Sequence, residues 1–136
     1  MSELDAIDRW LLAVLSGDGT LTGLVSTRIY DTLAPQGATM PYVVYQNQAG
    51  HDVRGVGPSR IMADVLYVVK AVCEGTSFTP VRAIADRIDT LLQGASGSNV
   101  DGTVLACVRE SPFSMIETTD GKQYRWRGGV YRLWAQ

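Results

Sequence analysis

The chain has 136 residues and a mass of 14.8 kDa, with 46% hydrophobic and 19% charged residues. That length predicts one domain spanning 1–136, large enough to bury about two thirds of its unfolded surface without a disulfide or metal. Net charge is −2 and pI ≈ 5.2, and Gly 14 and Pro 5 are near average, which excludes charged tails, collagen-like chains and low-complexity chains. The basic set is uneven: apart from Lys70 and Lys122, every cation is Arg. Arginine suits interfaces and bidentate pairing, so the bias hints at a protein bound by others.

Ser2 can cap a first helix over residues 3–16, with Asp5 completing a capping box. Leu4, Ile7, Leu11, Val14 and Leu15 repeat at helical spacing, and Trp10 widens the stripe. Gly17 is expected to take a left-handed cap. In residues 20–40, Leu21, Leu24 and Val25 could form a helical turn, and Arg28-Ile29-Tyr30 could start an edge strand. Pro35, Gly37 and Pro41 turn the remainder into a loop.

Residues 42–46 read as a strand by their β-branched and aromatic content. From Gln46 to Arg60 the chain carries Gly50, Gly55, Gly57 and Pro58, and no apolar run longer than one residue. That pattern predicts a long loop, and loops of this length tend to be functional. Residues 61–74 form the strongest strand. Ala63, Val65, Tyr67, Val69, Ala71 and Cys73 alternate on an apolar face, with Asp64 and Lys70 on a mixed one. One wet face predicts an antiparallel sheet. The mixed face is apolar enough to be covered by another chain.

Thr79 as N-cap and Pro80 in the first turn open a second helix. Val81, Ile84, Ala85, Ile88, Leu91 and Leu92 fill its apolar side. Arg82, Asp86, Arg87 and Asp89 fall on the presumed solvent side. The last third reads as strands: 103–110, a break or bulge at Ser111-Pro112, 113–119, a two-residue turn at Asp120-Gly121, and 122–134 with a bulge at Gly128-Gly129. The expected fold is α+β, in the order α-β-β-α-β-β-β, with two helices packed on one face of a mostly antiparallel sheet.

Catalytic and metal signals are weak. His51 is the one histidine, no CxxC spacing exists, and Cys73 and Cys107 sit in separate apolar runs that read as buried, reduced thiols. The glycines at 50 and 55 are followed by Val56 where a phosphate loop has lysine. The longest apolar stretch is too short to span a bilayer. Acids near the N-terminus stand where a signal peptide has bases, so export is not expected. One pattern stays open as a second class. Arg109, Lys122, Arg125, Arg127 and Arg132 interleave with Tyr124, Trp126 and Tyr131, a mixture that can bind single-stranded nucleic acid by stacking. The acidic pI argues against a duplex binder.

Three stretches together resemble a known family. They are Leu33-Ala34-Pro35-Gln36-Gly37 with Met40-Pro41-Tyr42-Val43-Val44-Tyr45; the long strand running through Gly75 into a Pro-initiated helix; and Arg109-Glu110-Ser111-Pro112-Phe113 with Tyr124-Arg125-Trp126-Arg127-Gly128-Gly129-Val130-Tyr131-Arg132. They are similar to the tail terminator, or tail completion, proteins of bacteriophages with long non-contractile tails. The resemblance implies a virion protein of the tail and neck, assembled in the host cytoplasm. It would form a homo-hexameric ring on the tail tube protein, stop tube growth and dock to a head connector or stopper, with genomic DNA passing through the lumen. It implies no cofactor, no catalysis and no membrane. A head–tail connector or stopper subunit is the alternative within this class. The residues expected at subunit or partner interfaces are His51, Asp52, Arg54 and Arg60 in the glycine-rich segment, and Arg125, Arg127 and Arg132 near the C-terminus.

Overall fold

A computed structural model describes residues 2–136. The elements in chain order are α1 (Glu3–Ser16), α2 (Gly19–Val25), β1 (Ile29–Asp31), β2 (Tyr42–Arg54), β3 (Arg60–Glu74), α3 (Thr79–Leu92), β4 (Gly97–Asn99), β5 (Gly102–Thr119) and β6 (Lys122–Ala135). The strands form one six-stranded sheet in the order β1-β2-β3-β6-β5-β4. All pairs are antiparallel except β1 with β2. The α+β class expected from the sequence is therefore what forms, with one more helix and two short edge strands.

The three helices share one face. Ile7, Leu11 and Leu15 of α1, Leu21 and Val25 of α2, and Val81, Ile84, Ile88 and Leu92 of α3 are fully buried. They meet Val65, Tyr67, Val69, Tyr131 and Leu133, side chains on the matching phase of β3 and β6, in a continuous apolar core. Polar anchors fix the layers at its margin. Tyr67 donates from its hydroxyl to Asp8 Oδ1 at 2.7 Å, and Tyr131 donates to Asp89 Oδ1 at 3.1 Å. Asp18 caps α2 by accepting from Leu21 N (2.8 Å) and also takes a two-pronged bond from Arg87 of α3 (2.6 and 2.9 Å). The Arg87 bond, then the cap, hold the Asp18 carboxyl down at about 2.

Several expectations change. Residues 47–59 are not a loop. Strand β2 continues to Arg54, and β3 starts at Arg60, so only the Gly55–Ser59 turn remains between them. His51, Asp52, Arg54 and Arg60 therefore lie on a long hairpin. The physical reason is that both sides of β2 are exposed from residue 47 onward, apart from half-buried Val53. With no face to bury, the segment has no reason to alternate, and its pairing with β3 rests on backbone bonds. Gly50 supports this reading, because a Cβ there would lie 2.6 Å from the Val65 side chain and 2.9 Å from Asp64 O.

The bulge expected at Gly128-Gly129 is absent. Those residues keep register with Lys70 and Val69, while the irregularities lie in β5, between Val104 and Ala106 and between Arg109 and Ser111. A Cβ on Gly128 would sit 2.1 Å from Val69 O. The glycine allows close backbone approach between central strands and needs no special turn. Nor does Pro112 end its strand. β5 is an edge beyond its short pairing with β4, where the missing N–H costs no ladder bond on the outer side. Phe78, not Thr79, is the N-cap of α3, and Ser77 Oγ accepts from Thr79 N at 3.1 Å. Gly17 has φ −81°, on the right-handed side. The Asp120-Gly121 turn forms as expected, with φ of 52° and 75°.

Candidate functional site

The side of the sheet away from the helices carries the second phase of each strand. On β3 this phase is Met62, Asp64, Leu66, Val68, Lys70 and Val72. On β6 it is Tyr124, Trp126, Val130, Arg132 and Trp134. No helix covers it. The loop before β2 folds over its upper end. There Pro35 and Met40 face Tyr42, Val72 and Trp126 across an open groove of ≈ 470 Å³. Tyr42 meets Trp126 edge-to-face at 6.3 Å and Tyr30 at 5.5 Å. Glu74, Glu117 and Lys122 also line this groove.

Two charge clusters sit on the same face. Lys70 Nζ lies 4.5 Å from the Trp126 ring centroid and 5.3 Å from that of Phe113, a cation held by π-faces. Burial pushes its ammonium down, against a smaller opposing pull from Glu117. Lower on the face, Arg132 bridges Asp64 of β3 and Glu110 of β5, and His51 Nε2 approaches Asp64 Oδ2 at 3.8 Å. A half-buried pair of this kind fixes geometry more than it adds stability.

The seven predicted interface residues fall into three places. His51, Asp52, Arg54 and Arg60 share the far half of the β2–β3 hairpin. There Arg60 Nε donates to Glu3 Oε1 at 2.9 Å and its Nη1 lies 4.0 Å from Asp52. Arg132 joins His51 through their common neighbour Asp64. Arg125 and Arg127 stand on the helix side at the opposite end, over the Phe78 ring at 5.0 and 4.0 Å. Arg125 Nε also donates to Gly75 O at 3.2 Å. These two arginines tie β6 to the start of α3. Arg125 and Arg127 thus face one side and Arg132 the other, and Tyr131 is buried. The C-terminal cations and aromatics do not make one stacking strip.

Sequence reasoning missed Phe113, Glu74 and Glu117, and it named Trp126 and the mixed face carrying Lys70 without bringing the two together. The signal was present in the strand phase: position 126 shares its parity with 132 and 134, opposite to buried Tyr131 and Leu133. The aromatics of β6 divide between the two faces, Tyr124, Trp126 and Trp134 on the open side and Tyr131 on the helix side.

Little here is arranged for catalysis. Cys73 and Cys107 are free and buried. Burial pushes the Cys107 thiol up to about 12 and raises that of Cys73, which suppresses the reactive thiolate. His51 is exposed on an edge strand. Among the described residues no group of three His, Cys, Asp or Glu side chains is gathered to hold a metal ion. No helix there is long and apolar enough to cross a membrane.

What the chain offers instead is surface: an open aromatic face, a projecting hairpin and long free strand edges. A family model described as "Tail completion protein gp17" matches residues 9–128. The chain belongs to that family. A solved structure titled "Virion of native gene transfer agent (GTA) particle" contains a chain of the same fold, with a TM-score of 0.76 at 18% identity, covering 98% of this chain and 97% of that one. No curated protein matches. This tail completion protein is thus a structural protein of the phage tail.

Proposed function

We propose that this tail completion protein closes into a homo-hexameric ring on the last ring of the tail tube. The ring stops tube growth and then joins the tail to a head connector or stopper. Genomic DNA passes through its lumen without sequence-specific contacts, and assembly takes place in the host cytoplasm. The protein acts without catalysis, cofactor or membrane.

One observation carries the reading. The sheet is sealed by helices on one face and left open on the other. Its strands also have free edges, β2 beyond its short pairing with β1 and β5 beyond its short pairing with β4. A ring needs two different surfaces that meet head-to-tail and close after a fixed rotation. His51, Asp52, Arg54, Arg60 and Arg132 lie on such surfaces. Arg125 and Arg127 support the end of the sheet that would face a partner.

Negative-stain microscopy of the protein mixed with tail tubes tests this. Rings, or caps on tube ends with tube length arrested, are the expected result. Binding to filled capsids with no effect on tubes would favour a connector or stopper instead. Salt-sensitive binding of single strands without rings would favour a nucleic-acid module.

A further inference from the structure

The β2–β3 hairpin runs past the body of the sheet. The pairing of β3 with β6 ends at Ala63 opposite Ala135, while β2 and β3 stay paired out to Arg54 opposite Arg60. At the tip, Val56 is fully exposed and Ile61 is 54% exposed. Gly57 has φ +82° and the turn is closed by Gly55 N donating to Ser59 O. Arg60 is engaged by Glu3, but Arg54 has no ion-pair partner among the described residues. The tip is thus a narrow projection with an aliphatic point, a proline and an unpaired cation.

At the other end of the same strand lies the groove between the loop 34–41 and the open face. Its walls are Pro35, Met40, Tyr42 and Trp126. Its carboxylates, Glu74 and Glu117, have no ion-pair partner among the described residues, and Lys122 is the cation beside them. The indole N–H of Trp126 is enclosed without an acceptor. The groove therefore offers aromatic and proline surface with two carboxylates outside any ion pair, Glu117 attracting Lys70 only at longer range, so a cation from the tip can pair with them.

Tip and groove of one molecule cannot meet. They stand at opposite ends of β3, whose 15 residues span about 46 Å. We propose that the hairpin tip of one copy seats in the groove of the next. Val56 and Pro58 lie against Tyr42 and Trp126, and Arg54 pairs with Glu74 and Glu117. The contact joins unlike surfaces, so it propagates head-to-tail and closes where the rotation permits. It rests on the ring reading and names the segment each subunit lends its neighbour.

Cysteine pairing tests the contact. One copy carries Val56→Cys and a differently sized copy carries Thr119→Cys, on the rim of the groove. A second pair, Pro58→Cys with Ala38→Cys, probes the opposite wall. On oxidation of a concentrated mixture, at least one pair should give more mixed disulfide than random pairing does. Arg54→Glu should cut that yield about tenfold, the low end for a close interfacial charge pair. Combining it with Glu117→Arg should restore the yield. Random ratios for both pairs, or a biased yield indifferent to Arg54→Glu, would overturn the contact. Rings that form without the crosslink would remove this contact and leave the ring. A biased crosslink without rings would do the reverse.

Discussion

The two faces of the sheet follow different rules. The helix side is filled by aliphatic side chains at or near zero exposure, and its polar groups (Asp8, Asp18, Asp89) sit at the margin with a donor each. The open side mixes buried Val68 and Val72 and half-buried Trp126, Trp134, Leu66 and Met62 with Lys70, Asp64 and Arg132. A face that only has to hold the chain together is best served by close packing. The open face keeps aromatic side chains, a methionine and an arginine, residue types enriched at interfaces, beside charges that are paired within the sheet. On the assembly proposed above, stability and assembly fall on opposite sides of one layer, and substitutions should separate them.

The largest effect is expected between the faces, in the backbone itself. Gly128→Ala forces a Cβ against Val69 O in two central strands that cannot part. Loss of the cooperative urea transition is the expected result, and a normal transition would show that β3 and β6 can shift. On the covered face, Ile88→Ala should cost about 2–5 kcal/mol by urea denaturation. Tyr67→Phe, which removes the bond to a carboxylate, should cost about 1.5–3 kcal/mol. On the open face, Arg132→Ala should move the urea midpoint little, yet lower the fraction of tubes capped in micrographs. If it unfolds the protein as readily as Ile88→Ala, the division between faces fails.

The smallest effect is a pH dependence. Asp18 has its carboxyl lowered from 3.8 to about 2 by Arg87 and the cap, so its stabilisation is complete above pH 3.8 and is lost as pH falls toward 2. Asp18→Asn should lower the thermal midpoint at pH 7 and flatten its fall over that acid window. An unchanged acid profile would mean that α2 and α3 are held by packing alone.

Both longer helices, the central strand and the Asp120-Gly121 turn were legible in the sequence, because burial imposes periodicity and turn geometry demands particular residues. The far half of β2 was not. A strand with both sides exposed carries no period, so glycines and polar residues that look like a loop there are compatible with a ladder. The same limit hid the groove, whose walls come from the loop 34–41, β2, β3, β5 and β6 and converge only in three dimensions. It also misjudged Asp89. The residue reads as a solvent-face carboxylate, but it accepts from buried Tyr131 and lies 3.8 Å from Arg109. Asp89 follows buried Ile88 on α3 and reaches Tyr131 of β6, a long-range contact that helical phase does not encode.

Strand β3 is bonded along most of its length on both sides, to β2 and to β6, by rungs perpendicular to its axis. A ring joined through the two ends of that strand would carry tension along it. Such a load strains the rungs together, in shear, instead of peeling them one at a time. The central strand would then be the tie-rod of the subunit, and the helices, packed on one side, would lie off the line of force. A mechanically loaded particle should therefore yield first at the contacts between subunits, with each sheet intact.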